Sequence, residues 1–234
     1  MTSASVRGEF ATYDVPLTAK QAIAESDRVA AFQLRYSVYI AEQGKPYPEA
    51  DHERQLLTDE LDEQSHIIVV SGAERESGIA GTVRASWFDA ATTYARFAET
   101  FEIPRFAAFP TAEISVCSRL AASMEHRHAR VRELLFESIY HRGLDRNTRL
   151  CFATCAPILL RMFRKYGFRE FSPPLSDATV GKLHRTLLVL DDIEHLTRVG
   201  SPFCAIAQQR GIGVKPRPWL SQIFDEYRNH HGTT

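Results

Sequence analysis

The 234-residue sequence has no apolar run approaching the length of a membrane span. Met1–Phe10 lacks the basic start and apolar core of an export signal, so the expected location is the cytoplasm. Cysteine is scarce: Cys117, Cys151, Cys155 and Cys204 lie in apolar settings with no paired CxxC spacing. That pattern excludes a disulfide scaffold and a zinc site, and reads as four reduced core thiols; no metal is expected. Internal repeats and low-complexity linkers are absent. The basic stretch from Arg119 to Arg169 has no aromatic platform residues interleaved and matches no recognition motif, which argues against nucleic acid as a partner.

What is present is ordinary in amount and uneven in placement. A hydrophobic fraction of 44% and a charged fraction of 24% suit a soluble globular domain. Between Ala41 and Glu63 the charge balance is −6, and between Arg119 and Arg169 it is +7. Solvated helix faces would account for both runs. A dock for an anionic partner would account for the second as well.

Periodicity sets out the elements. Met1 to Leu17 reads as a loose N-terminal arm. Thr18 to Gln43 carries helical spacing and stops at Gly44, and Pro46 and Pro48 open an acidic loop. His66–Ser71 and Ile79–Phe88 read as a hairpin turning at Glu76-Ser77-Gly78. Phe109 to Ala122 alternates as a strand, Glu125 to Arg149 is a helix, and Leu150 to Ala156 is a second strand. Ile158–Tyr166 is a helix closed by Gly167, and Leu183–Leu190 is a further strand. The order predicts an α/β domain over residues 18–192, a mixed central sheet with helices on both faces. A helical extension over residues 193–234 follows.

The central strand contains Glu113 and Arg119, and such residues are rarely buried unless paired or in use. Two readings of Glu113 stand side by side: a carboxylate in a low-dielectric cleft that takes a proton, or a structural partner of Arg119 or Arg84. Arg35 falls on the apolar side of its helix, where Asp62 is its natural partner.

Five ordered segments resemble the GNAT acyltransferase superfamily. They are Phe32-Gln-Leu-Arg35-Tyr-Ser-Val38-Tyr39 with Glu42-Gln-Gly44-Lys45; Asp59-Glu-Leu-Asp62-Glu-Gln-Ser-His66; Gly81-Thr-Val-Arg84; Glu113-Ile-Ser115 with Ser118-Arg119-Leu120-Ala121; and Arg164-Lys-Tyr-Gly167-Phe168. Within the superfamily the chain resembles the long-chain N-acyl amino acid synthases and, more distantly, the acyl-homoserine-lactone synthases. The resemblance implies a GNAT-like fold and transfer of an acyl chain from the phosphopantetheine thioester of acyl-carrier protein to the amine of an amino acid or related small amine. Glu113 is the expected base, with Arg119 beside it, and the oxyanion is expected on strand N–H groups near Ser115. Arg35, Arg84 and Arg119 are candidates to grip an acceptor carboxylate, with Tyr39 and Asp62 completing the acceptor side. Arg127, Arg130, Arg132 and Cys155 are the candidate donor-binding residues. Contact with membrane through a lipid product, and a homodimer, both fit this reading.

The departures from the family are as informative. CoA-dependent members wrap the pyrophosphate in a glycine loop, whereas Glu125 to Arg132 has no glycine. The usual acidic tyrosine is Phe163 here. Lys45 stands where the lactone synthases have a Trp, and Ser65 where they have a second Asp. Glu113 and Arg119 are six apart where those synthases space the pair by three, so either the strand bulges or one of the two is not equivalent. Acylation from acyl- or acetyl-CoA, and a silent carrier- or lipid-binding module, are the alternatives.

Overall fold

A computed structural model describes residues 16–72, 78–127, 129–213 and 218–231. Seven strands form one sheet in the order β1-β4-β5-β6-β7-β9-β8: β1 is Thr18–Gln21, β4 His66–Ser71, β5 Ile79–Trp87, β6 Ile114–Ala122, β7 Leu150–Cys155, β8 Arg169–Asp177 and β9 Gly181–Val189. Only β6 and β7 run parallel among these neighbours. A parallel pair needs a crossover, and helix α3, Ala129–Asp145, supplies it. The Ile-Ile-Val-Val run of β4 is buried on both faces because helices cover the sheet on both sides. Two short strands, β2 (Ala50–Asp51) and β3 (Leu56–Leu57), form a separate ribbon within the acidic loop.

The layers differ in composition. On one face α3 packs with α4 (Leu160–Lys165), α5 (Ile193–Arg198) and α6 (Phe203–Gln209). Phe136 stacks on Tyr166 at 4.3 Å, and Tyr140 stacks on Phe203 at 4.2 Å. The other face carries α1 (Glu25–Tyr36), with Ala31 and Phe32 against Ile67 and Val69. Beside it, α2 (Ala91–Phe97) and α7 (Trp219–His231) flank a cluster of Phe88, Phe101, Phe106, Phe152, Phe171 and Phe224. The four cysteines are free.

Several elements depart from their sequence reading. The single helix expected from Thr18 to Gln43 is strand β1, then α1, then a π-helical turn over Ser37–Glu42. β1 is an edge strand whose alternating Leu17 and Ala19 pack beneath α3, a pairing that local helical spacing cannot reveal. Strand β8 was hidden by Pro173 and Pro174, which an edge strand tolerates and which coincide with its register shifts. The C-terminal helices α5 and α6 are built into the main core through Leu196, Phe203 and Ile206. The arm over residues 1–15 and the first part of the hairpin turn, residues 73–77, lie outside the described residues. Gly167 does close α4: its φ of +101° is one that side chains resist, and a Cβ there would meet Leu196 at 2.5 Å.

One buried group makes this packing acid-sensitive. His195 Nε2 meets the Gly167 carbonyl at 3.1 Å, and its Nδ1 meets Arg198 at 3.0 Å, so the neutral ring with its proton on Nε2 satisfies both. Burial, with the nearby charge of Arg169, pushes its pKa down to about 4. Between that value and the ordinary one near 6.5 the unfolded chain binds a proton that the folded chain refuses. Stability therefore falls as pH drops through this window. A melting-temperature series from pH 7 to 4 should show a shallower fall for His195→Gln than for wild type; equal slopes would contradict the assignment.

Candidate active site

The site begins where β6 leaves its neighbours. β6 pairs with β7 only from Ile114↔Leu150 to Cys117↔Ala153, and beyond that the two strands part. On its other edge the register with β5 jumps from Arg84↔Ser118 to Thr82↔Ala121, so Arg119 and Leu120 together face Val83. Arg119 sits at φ +55°, the left-handed region that side chains rarely adopt. The strand therefore holds a bulge, which changes the parity of β6. Cys117 and Leu120 both turn toward the α3 side, whereas Ala121 packs against Leu34 and Val38 of the α1 side.

A cavity of about 960 Å³ opens at this point. One limb is apolar and lies beneath α3, lined by Val83, Cys117, Leu120, Leu135, Phe136 and Ile139. The other is polar and is lined by Tyr39, Lys45, Tyr47, Glu49, Asp59 and Arg84. Arg119, on the bulge, lines the same cavity. A small void of about 10 Å³, sharing Phe136 and Ile139 with the large one, continues toward Trp87 and Ser115.

Buried ion pairs form the wall of the polar limb. Arg35 is fully buried and its Nη1 donates to Asp62 at 2.8 Å. Arg84 donates to Asp59, to Asp62 at 3.0 Å, and through Nε to Ser118 at 3.0 Å. Arg119 donates to Asp59 at 2.8 Å and to Glu49 at 2.7 Å, and stacks on the Tyr47 ring at 4.7 Å. Burial alone would raise the Asp59 pKa, but hydrogen bonds and charge from Arg84 and Arg119 outweigh it and hold the carboxyl well below the usual range. Burial pulls Arg119 down and Asp59 pulls it up more strongly, with Glu49 adding to the rise. Arg35 is lowered to about 10 by burial, against the charge of Asp62. Its Nε and Nη2 have no hydrogen-bond partner among the described residues, and its guanidinium lies 5.2 Å from the Phe32 ring centroid.

The structure gathers some expected residues and not others. Arg35, Asp62, Arg84 and Arg119 form one network, and Tyr39 lines the cavity, its hydroxyl donating to the Leu120 carbonyl at 2.6 Å. Glu113 does not join them. It ends a 3₁₀ turn before β6 begins, does not line the cavity, and lies six residues, roughly 20 Å of extended strand, from Arg119. Ser115 is buried, with its hydroxyl 3.4 Å from the Leu150 carbonyl, in the segment of β6 already paired on both edges. It lines the small void rather than the large cavity.

On the donor side Arg127 lines the cavity and pairs with Glu42. Arg130 is exposed, 3.8 Å from Glu133, and Arg132 donates to the Arg127 carbonyl at 2.9 Å; neither lines the cavity. Cys155 does line it, but burial, reinforced by the charge of Glu170, pushes its thiol pKa up to about 12, and it is a neutral thiol near neutrality. Sequence reasoning missed Lys45, Tyr47 and Glu49 as site residues. Their signal is the Lys-Pro-Tyr-Pro-Glu strip, in which 45, 47 and 49 are partly buried and both prolines exposed. Among the described residues no group of three or more His, Cys, Asp or Glu is placed to hold a metal ion, and no helix is long and apolar enough to cross a membrane.

A mixed sheet opened between a bulged strand and its parallel neighbour is the architecture of the GNAT acyltransferases. Residues 34–137 match the family model described as an acetyltransferase (GNAT) domain, so the resemblance carried by the five segments is borne out. Among solved structures the fold is similar to FeeM, an N-acyl amino acid synthase from uncultured soil microbes, with a TM-score of 0.62 and 14% identity over 82% of this chain and 98% of that one. It is similar also to the CoA-dependent acyl-homoserine lactone synthase BjaI (TM-score 0.57, 17% identity, 82% of this chain and 98% of that one). A third is the acyl-homoserine-lactone synthase LasI (TM-score 0.59, 12% identity, 86% and 98%). No curated protein matches the sequence.

The ion-pair wall has a stability consequence. Among the described residues, Asp62→Ala removes the only carboxylate bonded to Arg35 and one of two bonded to Arg84. Leaving a buried charge without its partner costs about 3–5 kcal/mol. Urea denaturation should show a loss of that order; a change below about 1 kcal/mol would mean the network is not buried as described.

Proposed function

We propose that the protein is an N-acyltransferase that moves an acyl chain from a phosphopantetheine thioester to the amine of an amino acid or related small amine. The observation that supports this reading is the two-limbed cavity, whose charged and apolar halves meet at the β6 bulge. An acyl tail fits the limb beneath α3, and an amine fits the polar limb. The two reach each other through the gap that opens after Cys117, where the backbone of residues 118–120 is no longer bound by β7. N–H groups of that segment take over the oxyanion role expected near Ser115.

An ammonium must lose a proton before it attacks. Asp59 is too weak a base, since two arginines stabilise its charged form. Glu49 is the candidate in place of Glu113. It lines the cavity, and one of its oxygens accepts from Arg119 at 2.7 Å. The other oxygen makes no hydrogen bond among the described residues and is left for the substrate. The neutral amine then adds to the thioester carbonyl; collapse of the adduct breaks the C–S bond and forms the amide, and the second proton shed by its cationic nitrogen passes through solvent to the departing thiolate. Phe163 lines the cavity where a tyrosine would have protonated the thiolate, so the thiolate leaves without a phenolic donor there.

We favour carrier protein over CoA as the donor and the cytoplasm as the setting of the reaction. At the cavity mouth Ile158 is 89% exposed beside Leu159, with Arg161 and Arg164 exposed in the following helix. An apolar contact beside exposed Arg161, and Arg164 paired with Glu170, suits an acidic carrier surface.

The test is product analysis by mass spectrometry, with acyl-carrier protein and acyl-CoA offered in turn against a panel of amines. Glu49→Gln should lower turnover by roughly 10²- to 10⁴-fold, and Glu113→Gln should leave it near wild type. Equal losses in both, or a loss in Glu113→Gln alone, would overturn the assignment. Ile139→Trp, which fills the apolar limb, should shift the products toward shorter acyl chains; an unchanged chain profile would place the tail elsewhere.

A further inference from the structure

Two thiols beside the cavity have no chemical task in the acyl-transfer reading. The Sγ atoms of Cys117 on β6 and Cys151 on β7 lie 3.2 Å apart, and either can donate to the other. The register pairs Ser115 with Cys151 and Cys117 with Ala153. The two cysteines are therefore diagonal neighbours, and both pack into the core on the α3 side. The remaining thiols are engaged otherwise: Cys204 meets the Thr197 hydroxyl at 3.2 Å, and burial keeps Cys155 a neutral thiol.

The two sulfurs differ in access. Cys117 is partly exposed and lines the large cavity, at the last position where β6 is paired with β7. Cys151 is buried behind it and lines the small void. A small oxidant entering the cavity meets Cys117 first. The contact with Cys117 pulls the Cys151 pKa down, against its burial, and the same contact, with burial, pushes Cys117 well up. As a pair they give up a first proton readily and hold the second. Either sulfur can hold the proton that remains, so the charge can be presented at Cys117, on the cavity side. Thiolate is the form that peroxides oxidise.

Joining the sulfurs takes more than side-chain rotation. An offset of two residues is roughly 6.6 Å along the strands, and neighbouring strands lie about 4.8 Å apart, so the Cα atoms of an ideal pair are about 8 Å apart. A disulfide spans up to about 7 Å. β6 must shift against β7 by about 1 Å to close the bond. Cys117 is well placed for such a shift, because residues 118–120 beyond it are not bound by β7 and already carry the bulge. A bond that holds the strands off their register is easily reduced, as regulatory disulfides are and structural ones are not.

We propose that Cys117 and Cys151 are a redox-active pair that hydrogen peroxide converts to a reversible disulfide. The Cys117 thiolate attacks one peroxide oxygen and the O–O bond breaks, leaving a sulfenic acid on Cys117; the expelled hydroxide takes up a proton and departs as water. The Cys151 sulfur then attacks the Cys117 sulfur and the S–O bond breaks; the hydroxide released takes the Cys151 proton as a second water. The two sulfurs lose two electrons and the peroxide gains two. The proposal stands apart from the acyl-transfer reading, and its test needs no turnover.

The full chain is treated with hydrogen peroxide at neutral pH, then unfolded in guanidinium with iodoacetamide present and analysed by mass spectrometry without reductant. Alkylated thiols should fall from four to two, and the tryptic peptides spanning 106–119 and 150–161 should be joined. Fragmentation should place the bond on Cys151 and not on Cys155, and dithiothreitol should restore all four thiols. In Cys151→Ser the reaction should stop at Cys117, where dimedone captures the sulfenic acid. The wild-type map decides the matter whether or not that variant folds. A bond to Cys155 or Cys204, a bond that forms only when peroxide is added in urea, or oxidation of Cys117 to sulfinic acid with no bond to Cys151 would overturn the proposal.

Discussion

Everything in the site is arranged around ion pairs that have been taken out of water. Arg35 and Arg84 are 0% and 1% exposed, and the Asp62 carboxylate bonds both. Burying such charges carries a large desolvation penalty, and apolar side chains of similar volume often fill such space at no loss of stability. Their value here is positional. Arg35 comes from α1, Asp59 and Asp62 from the acidic loop, Arg84 from β5 and Arg119 from the β6 bulge. The network fastens four separate segments to one another and holds Arg119 in a backbone conformation that a side chain does not favour unaided.

That bulge divides the cavity lining between two faces of the sheet. The extra residue turns Leu120 toward α3 and Ala121 toward α1, the side on which the Ser118 hydroxyl meets Arg84. With β7 diverging after Ala153, the two faces communicate through the sheet rather than around it. In the proposed reaction the apolar tail and the polar acceptor would thereby be kept in surroundings of different dielectric until their reacting ends meet. The shared architecture with N-acyl amino acid and homoserine-lactone synthases is one of fold; the Lys45–Glu49 strip and the paired arginines are read from this chain's own residues.

Much of the frame was legible from pattern alone. The strand, helix and strand from Phe109 to Ala156 follow from alternation, helical spacing and the need of a parallel pair for a crossover. Arg35 with Asp62 was legible because a guanidinium on an apolar helix face demands a partner. Glu113 looks like part of the strand because a carboxylate beside an alternating run keeps its spacing, whereas β6 starts one residue later and the cavity lies toward its other end. β8 was obscured by its prolines and β1 by an overlapping helical period. The acidic loop announced its charge, but which carboxylates turn inward depends on contacts with β5 and β6 that no local signal encodes. Lys45 was visible only as a departure from a relative's residue.

The most direct measurement is a crystal structure of the protein with an N-acyl amino acid bound. The account predicts the amide beside residues 118–120, the tail beneath α3 between Leu120 and Phe136, the head group in the limb lined by Tyr47 and Glu49, and the Asp59–Arg119 pair intact. A tail lying on the face packed by α7, or a head group that displaces Asp59 from Arg119, would contradict it.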